Sequence, residues 1–388
     1  MSDIRRYLDG QLQEMLNTLR ELVELESPSR DKRLTDRLGA HLAELFEKLT
    51  GGTALVIDNE PFGNHIRGEW GEGPEQILLL AHLDTIWQEG DLADMPFRIE
   101  EDRVYGPGVF DMKGGIVQGL YALRALRELD KPLAAKVVFL CTSDEEIGSL
   151  SSRPLIEEEA RKSRYVLVLE PAMGPQGALK TSRKGMGLFH LEVQGVSSHA
   201  GVDHRNGRSA IEELAHQIIA LHSMTDYEQG TTVNVGIISG GTASNVVADK
   251  AEAEIDLRIA SRSEADQVVP LIKALVPQTE GTTVKVEGGI NRYPLERTAR
   301  VAEMFEIARS IAKEELGLDL SEAGTGGGSD GNFTAPLAPT LDGLGAVGDG
   351  AHAKHEHLIL SQMPVRSALL AHLLAKLDER IAGRTVPE

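Results

Sequence analysis

Cysteine is nearly absent: the 388-residue chain has one, Cys141. A lone cysteine forms no internal disulfide, and that usage suits a reducing compartment. Cys141 lies in the apolar run KVVFLC, so a buried structural thiol is expected there rather than a nucleophile. Aromatic residues are also scarce, at 4%, which is too few for a base-stacking platform. Basic charge is outweighed, with 40 Lys and Arg against 60 Asp and Glu, a formal net charge of −20. Such a surface repels a phosphate backbone, so nucleic acid is not an expected partner. No stretch approaches the roughly 18–20 apolar residues of a membrane span. The opening MSDIRRYLDGQLQEML lacks the apolar core of a signal peptide. A cytoplasmic protein that makes no use of a membrane is expected.

What is present supports a large core. Hydrophobic residues make up 41% of the chain, and the length suits two domains. Residues 4–26 carry Ile4, Leu8, Leu12, Met15, Leu16, Leu19, Leu22 and Val23 at helical spacing. Strands are expected at 76–82, 136–142 and 165–170, alternating with helices at 112–129 and 153–162. That order reads as an α/β layer with a mostly parallel sheet. After about residue 183 the pattern changes. Alternating segments around LFHLEVQG, TTVNVGII, AEAEIDLRIA and TTVKVEG, with helices near 208–222 and 264–276, read as an α+β unit with a half-exposed sheet. A helix at 298–316, an apolar strand near 340–347 and a helix at 364–382 return to the first style. The expected organisation is a catalytic domain of about 1–183 plus 294–388, interrupted by a smaller domain of about 184–293.

Metal-capable side chains recur at the ends of the expected strands. His82 ends one in AHLDT, with Asp84 two residues on. Asp111 leaves the glycine-rich YGPGVFDMKGG at a helix start. Glu145 and Glu146 follow a strand in CTSDEEIGS, Glu170 ends one in VLVLEP, and His352 follows the late apolar strand in GDGAHAKHE. In open α/β sheets, sites form outside the carboxyl ends of strands, so these residues should converge. Two histidines and several carboxylates suit zinc or a similar divalent ion, and one carboxylate can bridge two cations about 3.5 Å apart. Asp84 is placed to accept a hydrogen bond from His82 and set its tautomer. Glu145 then remains as general base on a water held by the metals. Lys113 reads as salt-bridged, and His355 as a surface residue.

The ordered series AHLDT, GPGVFDMKGG, TSDEEIGS, LEP, SSHAG, GGTASNVV, IDLR, TGGGSDGNF and HAKHE resembles the M20 family of metallopeptidases. Within it the series looks closest to the glutamate carboxypeptidase (carboxypeptidase G2-like) branch. The resemblance spans nearly the whole chain. It implies a zinc-peptidase catalytic domain with an inserted ferredoxin-like domain that serves as lid and dimerisation surface. It implies two divalent ions, zinc first, with cobalt or manganese as alternatives. One ion would be held by His82 and Glu170, the other by Glu146 and His352, with Asp111 as the bridge and a cis Asp111–Met112 peptide. His352, unlike His355, has the glutamate four residues later that the family pattern carries. His199 would polarise the scissile carbonyl in the partner subunit of a homodimer, helped by Asn245. Arg258 and Arg292 would hold a substrate carboxylate beside the backbone cradle at Gly327. Glutamate at position 170, where family aminopeptidases tend to carry aspartate, favours a carboxypeptidase or N-acyl amino acid deacylase. The substrate would be a small peptide or N-acyl amino acid. Around Lys180 the sequence departs from the glutamate-specific members, which leaves the preferred side chain open. A dipeptidase or aminopeptidase of the same family is the alternative. A non-catalytic metal-binding scaffold should have lost a ligand or the base, yet all six residues are present.

Overall fold

The structure, a computed structural model, describes residues 2–383. The chain divides into two compact units. One comprises the residues up to Ser182, Arg297–Gly324 and those from Ser329 on; the other comprises Arg183–Glu296 and Thr325–Gly328.

The first unit is built on a six-stranded sheet. Its long strands are β1 (Thr53–Ile57), β2 (His65–Trp70), β3 (Gln76–His82), β4 (Lys136–Thr142) and β5 (Ser163–Val168). They lie in the order β1–β2–β4–β3–β5, and the short strand Thr340–Leu341 flanks β5. β3 runs parallel to both β4 and β5, as Thr340–Leu341 does to β5, while β1 and β2 form an antiparallel edge. Every residue of β3 is buried. Ile77, Leu79 and Ala81 face one core, which includes Leu120, Leu123 and Leu370. Leu78 and Leu80 face a second core with Ile156, Ala160 and Phe333. Helices thus cover both faces, and strands covered on both faces read as unbroken apolar runs.

Three local features depart from the sequence reading. The helix expected over 4–26 is two helices, Asp3–Asp9 and Leu12–Glu24, separated at Gly10. The strand expected near 340–347 is only Thr340–Leu341; beyond it Asp342 pairs with Lys180 instead, and Gly343 turns the chain at φ +76°. The helix Lys32–Thr50 was not marked by the periodicity reading. Its Asp31 side chain accepts from Leu34 N–H at one end, and Gly51, at φ +74°, closes the other.

The second unit is a four-stranded antiparallel sheet made of β6 (Gly185–Gln194), β7 (Thr232–Gly240), β8 (Lys250–Ile259) and β9 (Thr283–Arg292), in the order β7–β8–β6–β9. Phe189, Leu191, Val193, Ala253, Ile255 and Leu257 alternate onto one face. There they pack under Leu214 and Leu221 of helix Ala210–His222 and Val268 and Ile272 of helix Arg262–Lys273. The other face carries His190, Glu192, Glu252 and Glu254, the half-polar pattern of a sheet covered on one side. No helix among the described residues is long and apolar enough to cross a membrane.

Candidate metal centre

The ends of the three central parallel strands carry the candidate ligands. His82 closes β3, Glu145 and Glu146 form a turn three residues after β4, and Glu170 lies two residues after β5. His82 is 2% exposed. Its Nδ1 lies 3.0 Å from the main-chain oxygen of Asp84. A carbonyl can only accept, so the ring proton sits on Nδ1. Nε2 is then a lone pair, 3.3 Å from Asp111 Oδ1 and 3.5 Å from Glu170 Oε1. A lone pair facing two carboxylate oxygens in a buried site requires a positive charge among them, either a proton or a metal ion.

Asp111 leaves a loop in which Gly108 has φ +71°, and its peptide bond to Met112 is cis, as the resemblance implies. The helix Gly114–Glu128 follows at once. It approaches the end of β5 so closely that a Cβ on Gly115 would lie 2.1 Å from the Leu169 carbonyl oxygen, which only glycine permits. While Oδ1 of Asp111 faces His82, Oδ2 lies 3.4 Å from His352 Nε2. The same His352 nitrogen is 3.1 Å from Glu146 Oε2. One carboxylate therefore spans two imidazoles, each of which has a further glutamate beside it. His82, Asp111 and Glu146 offer ligand atoms within 4.8 Å of one another. His352 is held at φ +62°, a backbone conformation that residues other than glycine seldom adopt and that recurs at functional positions.

The electrostatics fit a cation site. Burial alone would raise Asp111, but hydrogen bonds with His352 and His82 hold it far below the usual carboxylate range. Burial raises Glu146 despite the pull of His352. Burial would lower His82, yet the carboxylates of Asp111, Asp84 and Glu170 raise it well above an ordinary imidazole. The carboxylates of Asp111 and Glu146 push His352 up to about 10. Without metal, protons supply the positive charge that this donor set demands. The residues present therefore fit two divalent ions, with imidazole and carboxylate donors in zinc-like proportion.

Asp84 works differently from the sequence reading. Its carboxylate Oδ1 is 3.6 Å from His82 Nδ1, farther than its own main-chain oxygen. The carboxylate instead accepts from Ser29 Oγ at 2.6 Å and from the backbone N–H groups of Glu145 and Glu146 at 3.2 Å each. Asp84 thus orients the histidine through its backbone and the two glutamates through its side chain. Lys113 is also not salt-bridged as expected. It is buried, it donates to the Leu25 carbonyl at 3.0 Å, and burial lowers it to about 7.

In the second unit, His199 and Asn245 are both exposed and meet across a two-residue ladder. His199 pairs with Val246, and Ala200 N–H donates to the Asn245 carbonyl at 2.9 Å. His199 Nδ1 accepts from the N–H groups of Gly201 and Val202 at 3.1 and 3.2 Å, so the neutral ring presents a proton on Nε2. Arg258 forks onto Asp256 at 2.8 and 3.0 Å. Arg292 is buried near the start of β6, with Nη1 3.8 Å from Met186 Sδ. The carbonyls of Gly327 and Gly328 accept from Arg183 Nη1 at 3.3 and 3.0 Å. A second group, His190, Glu192 and Glu252, lies on the open face of the sheet. There His190 already pairs with Glu254 and Glu252 with Lys250.

Residues 78–376 match the sequence profile of peptidase family M20/M25/M40. The chain belongs to that family. Carboxypeptidase G2 of a Pseudomonas species (strain RS-16) is 29% identical over 374 residues, covering 94% of this chain and 89% of its own. Succinyl-diaminopimelate desuccinylase of Nitrosococcus oceani is 26% identical over 326 residues, covering 78% of this chain and 84% of its own. Among solved structures, aminopeptidase PepT of Bacillus cereus shares the fold at a TM-score of 0.80 and 22% identity, covering 94% of this chain and 98% of its own. Members of the M20 family are metal-dependent, and this chain is an enzyme of that metallopeptidase and amidohydrolase family.

Two features of this M20 chain escaped the sequence reading. Ser29 of LESPS holds Asp84. Glu356 of HAKHE is buried against the Asp111 loop and accepts from the indole of Trp87 at 2.8 Å. The spacing of HxxxE flagged Glu356 as part of a pattern but gave it no partner. His355, three residues after His352, is exposed.

Proposed function

We propose that this protein is a two-metal hydrolase that cuts the amide bond next to a free carboxylate in a small peptide or N-acyl amino acid. The observation that carries the reading is the Asp111 carboxylate lying between His82 and His352, at 3.3 and 3.4 Å. His82 and Glu170 would hold one ion, Glu146 and His352 the other, with Asp111 shared. Two bound divalent ions, zinc by preference and cobalt or manganese otherwise, would supply Lewis-acid polarisation and a water of lowered pKa.

The chain's own groups do the rest. Glu145 takes a proton from the attacking water and returns it to the leaving nitrogen, which departs as an amine. Asp84 holds the backbone of Glu145 at 3.2 Å and so fixes where that carboxylate starts. His199 presents an Nε2 proton to a carbonyl oxygen, the role of an oxyanion donor. Asn245 assists it. Arg292, with Arg258 and the Gly327 turn, receives the substrate carboxylate, to which a guanidinium fork is matched in shape and charge. A carboxypeptidase among the relatives supports a substrate with a free carboxylate.

The working form is proposed to be a cytoplasmic homodimer, in which His199 of one copy serves the other copy's site. The edge strand β7 leaves Ile237 and Ile238 65% and 61% exposed, and Ile219 on the neighbouring helix is 70% exposed. Such apolar surface beside an unpaired strand edge supports pairing with a second copy.

The test is a mass-spectrometric screen of dipeptides and N-acyl amino acids with zinc-loaded protein. Each substrate is offered with its carboxylate free and again as the amide or ester. Cleavage of the free acids alone is expected. Equal cleavage of blocked substrates, or a requirement for a free amino terminus, overturns the assignment.

A further inference from the structure

Glu356 lies four residues after His352 and is 1% exposed. Both of its carboxylate oxygens are fully engaged. Oε1 accepts from the backbone N–H groups of Phe110 and Asp111 at 2.9 and 3.0 Å. Oε2 accepts from Gly108 N–H at 3.0 Å and from the Trp87 indole at 2.8 Å. All four partners are donors, and none can reverse its role. The turn that carries Glu356 also carries His352: Glu356 N–H donates to Ala353 O at 2.8 Å, and Ala353 N–H to Gly350 O at 2.9 Å. A single carboxylate therefore ties the loop that presents Asp111 to the turn that presents His352.

We infer that Glu356 is a positioning residue that sets the distance between the Asp111 and His352 side chains, and through it the affinity of the second metal position. The inference rests on the two-metal reading above. A ligand pair held by separate loops binds tightly only if the loops are locked, and groups that orient ligands from behind are worth about 10–100-fold in metal affinity. No neutral side chain can replace this one. Glutamine fits the space, but its amide NH2 must face two of the four N–H donors whichever way it is turned. A residue that merely filled space would be rescued by glutamine; this one is not.

The experiment titrates metal-free wild type, Glu356→Gln and Glu356→Ala with Co2+, following visible absorption and bound stoichiometry. Circular dichroism and thermal unfolding of the metal-free proteins report folding. Wild type should bind two equivalents. Both variants should keep the first and bind the second about 10–100-fold more weakly, with an altered cobalt spectrum. Wild-type binding of both equivalents by Glu356→Gln overturns the inference and leaves the two-metal reading standing. Fewer than two equivalents in wild type overturns that reading itself. If neither Glu356 variant folds, Trp87→Phe removes one donor and leaves three. A several-fold weaker second equivalent is then expected, and an unchanged one overturns the clamp.

Discussion

Replacing Asp84 with asparagine separates the roles of the two adjacent glutamates. The substitution keeps the shape of a fully buried side chain and turns one acceptor into a donor. Suppose the new NH2 takes the place of Oδ2. The Ser29 hydroxyl, now 2.6 Å away, can rotate to accept from it, but Glu146 N–H, at 3.2 Å, is left facing a donor. Suppose instead it takes the place of Oδ1. It then faces Glu145 N–H at 3.2 Å and His82 Nδ1 at 3.6 Å, both donors, and finds no acceptor. The first arrangement loses one hydrogen bond and the second loses one and buries an unsatisfied amide, so the first should prevail. A hydrogen bond to a charged acceptor is worth about 1.5–3 kcal/mol, which is roughly 10- to 150-fold at 1.36 kcal/mol per decade. The loss falls on Glu146, a proposed ligand, and spares the backbone of Glu145. Calorimetric titration of metal-free Asp84→Asn should show the second ion bound about 10–150-fold more weakly. Turnover at saturating metal should stay within several-fold of wild type. Unchanged metal affinity with collapsed turnover would place the damage on Glu145 and refute the reasoning.

Other outcomes follow from the same geometry. Glu145→Ala should retain two metal ions while activity drops at least ~100-fold, the low end for general acid–base catalysis. Glu146→Ala should lose metal occupancy, and equal metal loss in both variants would mean that base and ligand have been confused. Asp111 and Glu146 push His352 up to about 10, so its ring is protonated near pH 7.5 in the metal-free protein, and the carboxylates around His82 favour its protonated form in the same way. Metal binding must expel these protons, so affinity should fall as pH drops and the binding enthalpy should vary with the ionisation enthalpy of the buffer. A buffer-independent enthalpy counts against that proton inventory. Inactive His199→Ala and Glu145→Ala chains, refolded together, should regain partial activity through mixed dimers with one intact composite site. No recovery in mixed dimers verified by mass would confine His199 to its own chain or to no role.

The fold class was legible because its signals are local. QILLLAH and KVVFLC read as strands covered on both faces, and β3 and β4 fall at those residues. The convergence of His82, Glu146, Asp111 and Glu170 followed from one topological rule about strand ends. Choosing His352 over His355 rested on the family resemblance, whose pattern carries a glutamate four residues on. What escaped was set by backbone direction and by long-range partners. Whether His82 is oriented by the Asp84 carbonyl or by its carboxylate depends on a peptide plane, which residue types do not encode. The donors to Glu356 lie about 245 residues earlier, in a loop whose N–H groups converge only after folding. Lys113 reads as ion-paired from its place in the GPGVFDMKGG motif, yet the fold turns its ammonium toward the Leu25 carbonyl.

The site gathers more carboxylates than two metal ions need, and hydrogen bonding sorts them. Asp84, Asp144 and Glu356 face N–H and O–H donors. Asp84 receives Ser29 and two backbone amides, Asp144 receives Ser151 and Ser152, and Glu356 receives three backbone amides and an indole. Fixed dipoles meet part of their charge and lower the cost of burying it, although burial still raises Glu356 to about 7. Asp111 and Glu146 face imidazole nitrogens instead. Those nitrogens meet the charge only while they hold a proton that a cation can displace. The first group therefore braces the loops, and the second awaits a cation. This distinction separates proposed ligand from scaffold where residue type alone cannot, since both groups are aspartates and glutamates at strand ends and loop tips. It also orders the expected effects of mutation. Loss of an amide-facing carboxylate should loosen metal binding by degrees, through misplaced ligands, whereas loss of an imidazole-facing one should abolish a metal position outright.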